Sequence, residues 1–243
     1  MTLISNELLG IPKLKIYQDS DLFNFSLDSI LLASFAKINY KDKLICDLCS
    51  GNAPVPLYLS LRTKAKIYGV EVQKYSYELA LMSIKENKLE EQITMINDNL
   101  INVNQKIGEN KFDLVTVNPP YFKLGNNNIN PNDYKAIARH EVLASLDDII
   151  KEASILLKPK GRLALVYTPT RLIELIEVMK KYKIEPKRLQ FIYPKRNKAC
   201  NHILIEGVKE GFSFLQILKP IYVYKDNDTW TKQILKIYNF EED

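Results

Sequence analysis

The run Leu114-Val115-Thr116-Val117 stops at Asn118-Pro119-Pro120-Tyr121. An apolar, β-branched run bounded by proline suits a strand buried on both faces of a parallel sheet. Neither proline has an N–H to extend a ladder, and the residue before a proline is held extended. Asn118 is therefore expected at the strand's carboxyl edge, which in open α/β sheets is where ligands bind. The chemistry this suits is transfer to a planar amino group, whose delocalised lone pair makes it a poor nucleophile. The Asn118 side-chain oxygen and the Pro119 carbonyl, aimed at its hydrogens, would favour the pyramidal form and hold it in line with an electrophile. Tyr121 supplies a face for stacking, worth roughly 1–3 kcal/mol per base. Asn-Pro and Pro-Pro are equally ordinary turn signals, so the rest of the chain must decide.

Three acids close successive apolar runs. Asp47 lies in 44–48, and the small-residue loop Cys49-Ser50-Gly51-Asn52-Ala53-Pro54 then leads into a helical stretch. The loop is not G-x-G-x-x-G, because Cys49 and Ala53 stand where glycines are often found. A pyrophosphate needs that close backbone approach, whereas a cofactor without phosphates does not. Glu71 ends the next run, 20 residues beyond Gly51, the separation expected of a carboxylate that accepts from ribose hydroxyls. Asp98 follows the run 93–96 and suits an adenine amino group of the cofactor. Each acid alone reads as a surface residue; together they specify a nucleoside-binding edge.

The elements that must position these residues alternate along the chain. The phrase 23–28 precedes a helical run 29–36, with Ser26 as N-cap and an end that attracts polar or anionic groups; an ordinary packed helix satisfies the same pattern. A helix over 74–88 is expected to turn Leu79, Ala80 and Met82 inward. The polar stretch 123–132 reads as a loop over the site, followed by a helical stretch with Arg139-His140-Glu141. Helices over 146–157 and 170–182, strands over 162–167, 189–193 and 201–206, and closing strands over 214–224 and 234–240 complete the pattern, with Trp230 packing between the last two. Lys195, Arg196 and Lys198 occupy a loop between apolar strands, where either solvent or a phosphate backbone would meet them.

The chain has 243 residues, a net charge of +5 and 3 cysteines. Its length suits one large α/β domain, and the modest charge alone is weak support for nucleic-acid binding. The start carries Glu7 and no basic n-region, and no run approaches about 18 uncharged apolar residues, so neither a signal peptide nor a membrane span is expected. A cytoplasmic location follows. Cys46 and Cys49 form a C-x-x-C, but Cys46 lies inside a strand signal and only Cys200 remains to complete a site, so no metal is expected.

On these residues the chain resembles the class I S-adenosylmethionine-dependent amino-methyltransferases, whose signature [DNS]-P-P-[YFW] matches 118–121. More narrowly, it is similar to the bacterial tRNA(Val) adenine N6-methyltransferases, the TrmN family. That match rests on 14–18, 25–33, 47–52, 138–141, Pro194-Lys195, Asn201 and 204–207. The resemblance implies a single Rossmann-like α/β domain with a mostly parallel seven-stranded sheet, the last strand antiparallel, and helices on both faces. Residues 1–43 would form an N-terminal cap and helix contributing to the cofactor site, and 44–243 the core. It implies S-adenosylmethionine as cofactor: Phe25, Ser26 and Asp28 at its methionine end near Asp47, Cys49 and Gly51, then Glu71 with Val72 on the ribose and Asp98 with Asn99 on the adenine. Asn118, Pro119, Pro120 and Tyr121 would hold the target base, with Phe122, Lys123, Arg139, His140, Lys195, Arg196, Lys198 and Asn201 on the substrate side. The partner would be tRNA and the protein a monomer or weak dimer. Ala53 and His202 depart from the family's frequent glycine and arginine. Other readings are a release-factor glutamine methyltransferase, an rRNA or DNA amino-methyltransferase, and an RNA-binding protein that kept the fold. The first usually carries a substantial helical domain ahead of the cofactor fold, where only 43 residues precede Leu44 here.

Overall fold

A computed structural model describes residues 3–8, 11–19, 27–119 and 144–239. An antiparallel hairpin, β1 (Leu3–Leu8) and β2 (Ile11–Asp19), precedes helix α1 (Leu27–Phe35). The doubly wound part follows in order: β3 (Leu44–Leu48), α2 (Pro54–Arg62), β4 (Lys66–Glu71), α3 (Lys74–Glu86), β5 (Ile93–Asn97), α4 (Asn104–Ile107) and β6 (Phe112–Val117). After residue 143 come α5 (Leu146–Leu156), β7 (Leu157–Tyr167), α6 (Leu172–Lys181), β8 (Ile184–Tyr193), β9 (His202–Lys209), β10 (Gln216–Ile217), β11 (Ile221–Tyr222) and α7 (Lys232–Asn239).

The sheet runs β10-β8-β9-β7-β6-β3-β4-β5, with β11 also on β8. Strands β3 to β7 pair in parallel, and β9 is antiparallel to both β7 and β8. Among the described residues this sheet has nine strands rather than the seven expected. Seven are long. The other two, β10 and β11, are two-residue pieces along the outer edge of β8. They replace the single closing strand expected over 214–224, because Pro220 between them has no N–H to carry a ladder onward.

Side-chain alternation assigns the two faces of the sheet. Ile45, Ile67, Leu114, Ala164 and Leu204 face a core shared with α1, α2 and α7; Cys46, Val70, Val115, Leu163 and Ile205 face one shared with α5 and α6. Every residue of β6 is buried, as a central parallel strand requires.

Three arginines fix the end of α1, Arg62 from α2 and Arg162 and Arg188 from the sheet. Arg62 donates to the Ala33 and Ala36 carbonyls, Arg188 to Phe35 O at 3.1 Å, and Arg162 to Lys37 O at 3.1 Å. These cations satisfy orphan carbonyls and complement the negative end of the helix dipole. The buried Glu206 receives Lys37 N at 2.8 Å and pairs with Arg188 at 3.2 Å.

Two further expectations fail. The stretch 232–239 is a helix, not a strand: Ile234 and Tyr238 are buried four residues apart, and Tyr238 stacks on Trp230 with centroids 4.3 Å apart. Met82 is 39% exposed, because α3 turns Leu79, Ala80, Ser83 and Ile84 inward instead.

Candidate active site

Asp47, Glu71 and Asn118 stand at the carboxyl ends of β3, β4 and β6, and alternation puts all three on the α1 face of the sheet. Asp47 is 1% exposed and accepts from Thr116 Oγ1 at 2.6 Å. Burial pushes its carboxyl up to about 7, in spite of hydrogen bonding that favours the charged form, and the charge of Glu71 pushes the same way. Ser50 Oγ is buried beside this carboxylate and helps to stabilise it, yet completes no hydrogen bond of ordinary geometry among the described residues.

Both oxygens of Glu71 are pinned by backbone. Gly51 N donates to Oε2 and Gln73 N to Oε1, each at 2.8 Å. Burial raises this carboxyl too, and those backbone donors oppose the rise. The end of β5 is tied to β4 through Asp98 N on Glu71 O at 3.1 Å. Asp98 itself lies at the rim, paired with Lys106 at 2.5 Å, which holds its carboxyl below the usual range. Asn99 N donates to Asp98 Oδ1, and Val72 is exposed beside it.

The loop after β3 takes a left-handed backbone at alternate residues, with φ of 57° at Cys49, 56° at Gly51 and 68° at Ala53. Cys49 and Ala53 adopt it without being glycine. At Gly51 a Cβ would meet none of the described residues within 4 Å, so none of them closes off the backbone there. Burial, with Glu71 and Asp47 adding, pushes the Cys49 thiol up, so it stays neutral. Asn52 Nδ2 donates to Tyr17 O at 2.9 Å and joins the loop to β2, which also lies along α3 through Tyr17 N on Ser83 Oγ at 3.0 Å.

Asn118 is half-buried, and its Nδ2 donates to Ser29 Oγ on α1 at 3.2 Å; Pro119 is buried. Asp28, one residue earlier on α1, lies 3.7 Å from His202 Nδ1 at the start of β9. Because β8 runs with the parallel strands, the 194–201 loop leaves at the same edge of the sheet as Asn118. There Lys195 is held by Asp228 at 2.8 Å, while Arg196, Lys198 and Asn201 are exposed. Phe25, Ser26, Pro120, Tyr121, Phe122, Lys123, Arg139 and His140 lie outside the described residues. A cleft of about 380 Å³ opens at the opposite edge, beside Tyr40, Lys64 and Lys66, and holds none of the three strand-end acids. Among the described residues, no group of three or more His, Cys, Asp or Glu side chains is placed to hold a metal ion.

Sequence reasoning missed Ser29, Thr116 and Asn52. Thr116 was legible in principle, since it precedes Asn118 by two and so shares its face. Ser29 and Asn52 lie in the matched stretches 25–33 and 47–52, but nothing there marked out their hydrogen bonds, because their partners are distant in sequence.

A family model described as the methyltransferase small domain matches residues 26–185. The chain belongs to the methyltransferase small domain family. This small-domain methyltransferase is similar to the tRNA1(Val) (adenine(37)-N6)-methyltransferase of Porphyromonas gingivalis, 26% identical over 206 residues covering 82% of this chain and 80% of the relative. The protein of the same name from Histophilus somni is 31% identical over 153 residues, covering 62% of this chain and 63% of the relative. Among solved structures, a predicted O-methyltransferase from Agrobacterium tumefaciens superposes with a TM-score of 0.71 at 19% identity, covering 88% of this chain and 96% of that one. P. horikoshii TYW2 in complex with MeSAdo gives 0.57 at 19% identity, covering 82% and 69%. These structures share the fold of this methyltransferase.

Proposed function

We propose that this methyltransferase uses S-adenosylmethionine to methylate the exocyclic N6 of an adenine in tRNA, at the adenine 37 position named for its relatives. The observation that carries the reading is the position of Asn118-Pro119 at the end of β6, on the same sheet face and edge as Asp47 and Glu71. Its relatives, under one shared name, support the choice of acceptor.

The residues present fit this cofactor. None of the described residues fills the space over Gly51, where a ligand would lie against the loop backbone, and among them the buried Ser50 hydroxyl is left with hydrogen-bonding capacity to complete. Glu71, pinned by Gly51 N and Gln73 N, would accept from ribose hydroxyls. Asp98 and Asn99 would border the adenine with Val72 against it. Asp47, near the methionine end with Asp28, would face positive charge, which would draw its raised carboxyl into the ionised form. When bound, the cofactor supplies an electrophilic methyl on a sulfonium.

The chain's own work lies on the acceptor. The Asn118 carboxamide oxygen and the Pro119 carbonyl would accept from the amine hydrogens, favour a pyramidal nitrogen and fix its direction, so no strong base is needed. The nitrogen's surplus proton leaves to water after transfer. Tyr121 would stack on the base, with Phe122, Lys123, Arg139 and His140 around it. Arg196, Lys198 and Asn201 would meet the RNA, while residues 1–43, through β2 and α1, would complete the cofactor side. A tRNA substrate would fit a cytoplasmic location.

The test is parallel incubation with labelled S-adenosylmethionine and total tRNA, total rRNA, DNA or release factor, followed by nucleoside and amino-acid analysis. Label in N6-methyladenosine of tRNA is expected. Label confined to rRNA, DNA or a glutamine would contradict the reading.

A further inference from the structure

We infer that Ser29 is a positioning residue for methyl transfer, acting through Asn118; the inference rests on the reading of Asn118 as acceptor of the substrate amine. The two are 89 positions apart, and Asn118 Nδ2 donates to Ser29 Oγ at 3.2 Å. Ser29 lies in the first turn of α1 and is 2% exposed.

Proline at 119 holds the Asn118 backbone extended, but that does not choose which way the amide plane faces, because the terminal torsion of asparagine is broad and two-fold. The orientation matters to the chemistry. Only the carboxamide oxygen accepts; its NH2 group turned toward a substrate amine would set donor against donor. With Nδ2 directed at α1, the oxygen of the same planar group faces away from the helix. Ser29 can act as a fixed point because α1 is tied at its far end to the sheet by Arg188 and to α2 by Arg62, with Arg162 and Glu206 on Lys37 just beyond it. A small residue at a helix-to-sheet contact would look similar in burial but would not couple to Asn118.

Four proteins separate these roles: Ser29→Ala, Ser29→Thr, Asn118→Ala and the double variant Ser29→Ala with Asn118→Ala. Single-turnover transfer at saturating cofactor and tRNA is measured, with the affinity for each in parallel. Positioning through Asn118 predicts transfer about tenfold slower in Ser29→Ala, about 1.4 kcal/mol in barrier, with both affinities within about twofold of the wild type. Ser29→Thr, which keeps the hydroxyl, recovers most of the rate. Adding Ser29→Ala to Asn118→Ala costs nothing more. A wild-type rate in Ser29→Ala, or the same fold loss in both backgrounds, overturns the inference. Wild-type protein is assayed first: label absent from tRNA adenine but present in another acceptor refutes the functional reading alone, and the same four proteins are then compared on that acceptor.

Discussion

Thr116 Oγ1 donates to Asp47 Oδ1 at 2.6 Å, and Thr116 lies two residues before Asn118 on the same face of β6. The strand that carries the candidate amine clamp thus also holds the acid at the end of the neighbouring strand. Parallel pairing sets this up, since Asp47 is in register with Thr116 and Leu48 with Val117. The candidate cofactor acid on β3 and the candidate amine clamp after β6 are therefore joined through adjacent, buried, paired strands rather than through two loops.

The raised Asp47 carboxyl gives stability a defined pH dependence. An unfolded aspartate titrates near about 3.9, whereas this one titrates at about 7 in the folded protein, chiefly through burial. Between those values the folded state keeps a proton that the unfolded chain has lost, so the contribution of Asp47 to stability falls as pH rises through that window and is level above it. Asp47→Asn removes the titration. Its stability relative to the wild type should therefore improve from pH 4 to pH 7, by on the order of a few kcal/mol. Denaturant unfolding at a series of pH values checks this; a difference independent of pH contradicts it. Affinity for the cationic cofactor should move the other way, strengthening as pH rises through about 7.

Gly51→Ala separates folding from ligand binding. The backbone at φ 56° is one that alanine adopts at a strain of about 1–2 kcal/mol, and among the described residues no neighbour stands within 4 Å of the new Cβ. The variant should fold with a small loss of stability but bind S-adenosylmethionine at least about tenfold more weakly, because the methyl enters the space the ligand would use. Calorimetry showing unchanged affinity would remove that loop from the site.

For Glu71→Ala the expected outcome is weaker cofactor binding together with lower stability. Two part-buried backbone donors, Gly51 N and Gln73 N, lose their acceptor, at a cost of at most about 1–3 kcal/mol each. Unchanged cofactor affinity would count against a ribose contact.

At the loop after β8, Arg196→Ala and Lys198→Ala should each lower the slope of log affinity for tRNA against log salt by about 1. Lys195 differs, because Asp228 and Asp226 O already hold its ammonium, so Lys195→Ala should disturb folding of the 225–229 turn more than RNA affinity. Slopes identical to the wild type for Arg196→Ala and Lys198→Ala would return those residues to solvated surface.

Much of the sheet was legible because central parallel strands bury both faces and so read as continuous apolar runs, as in 44–48 and 112–117. Strand-end acids stood out for the same reason: each interrupts such a run. The last helix was misread because the apolar residues Ile234, Leu235, Ile237 and Tyr238 satisfy a strand pattern as well, and what decides is the packing of Ile234 and Tyr238 against α1 and Trp230. The hairpin over 3–19 carried no clear signal. Contacts such as Asn118 with Ser29, or Glu206 with Lys37, join residues tens of positions apart, and local pattern carries no record of them.

The proposed methyl transfer turns on Asn118, and single-turnover transfer by Asn118→Ala tests it most directly, with S-adenosylmethionine affinity measured on the same protein. Loss of one preorganised polar contact of this kind predicts a rate lower by about two orders of magnitude or more, with cofactor affinity essentially kept. Transfer at the wild-type rate would contradict the role assigned to that side chain, and with it the mechanism.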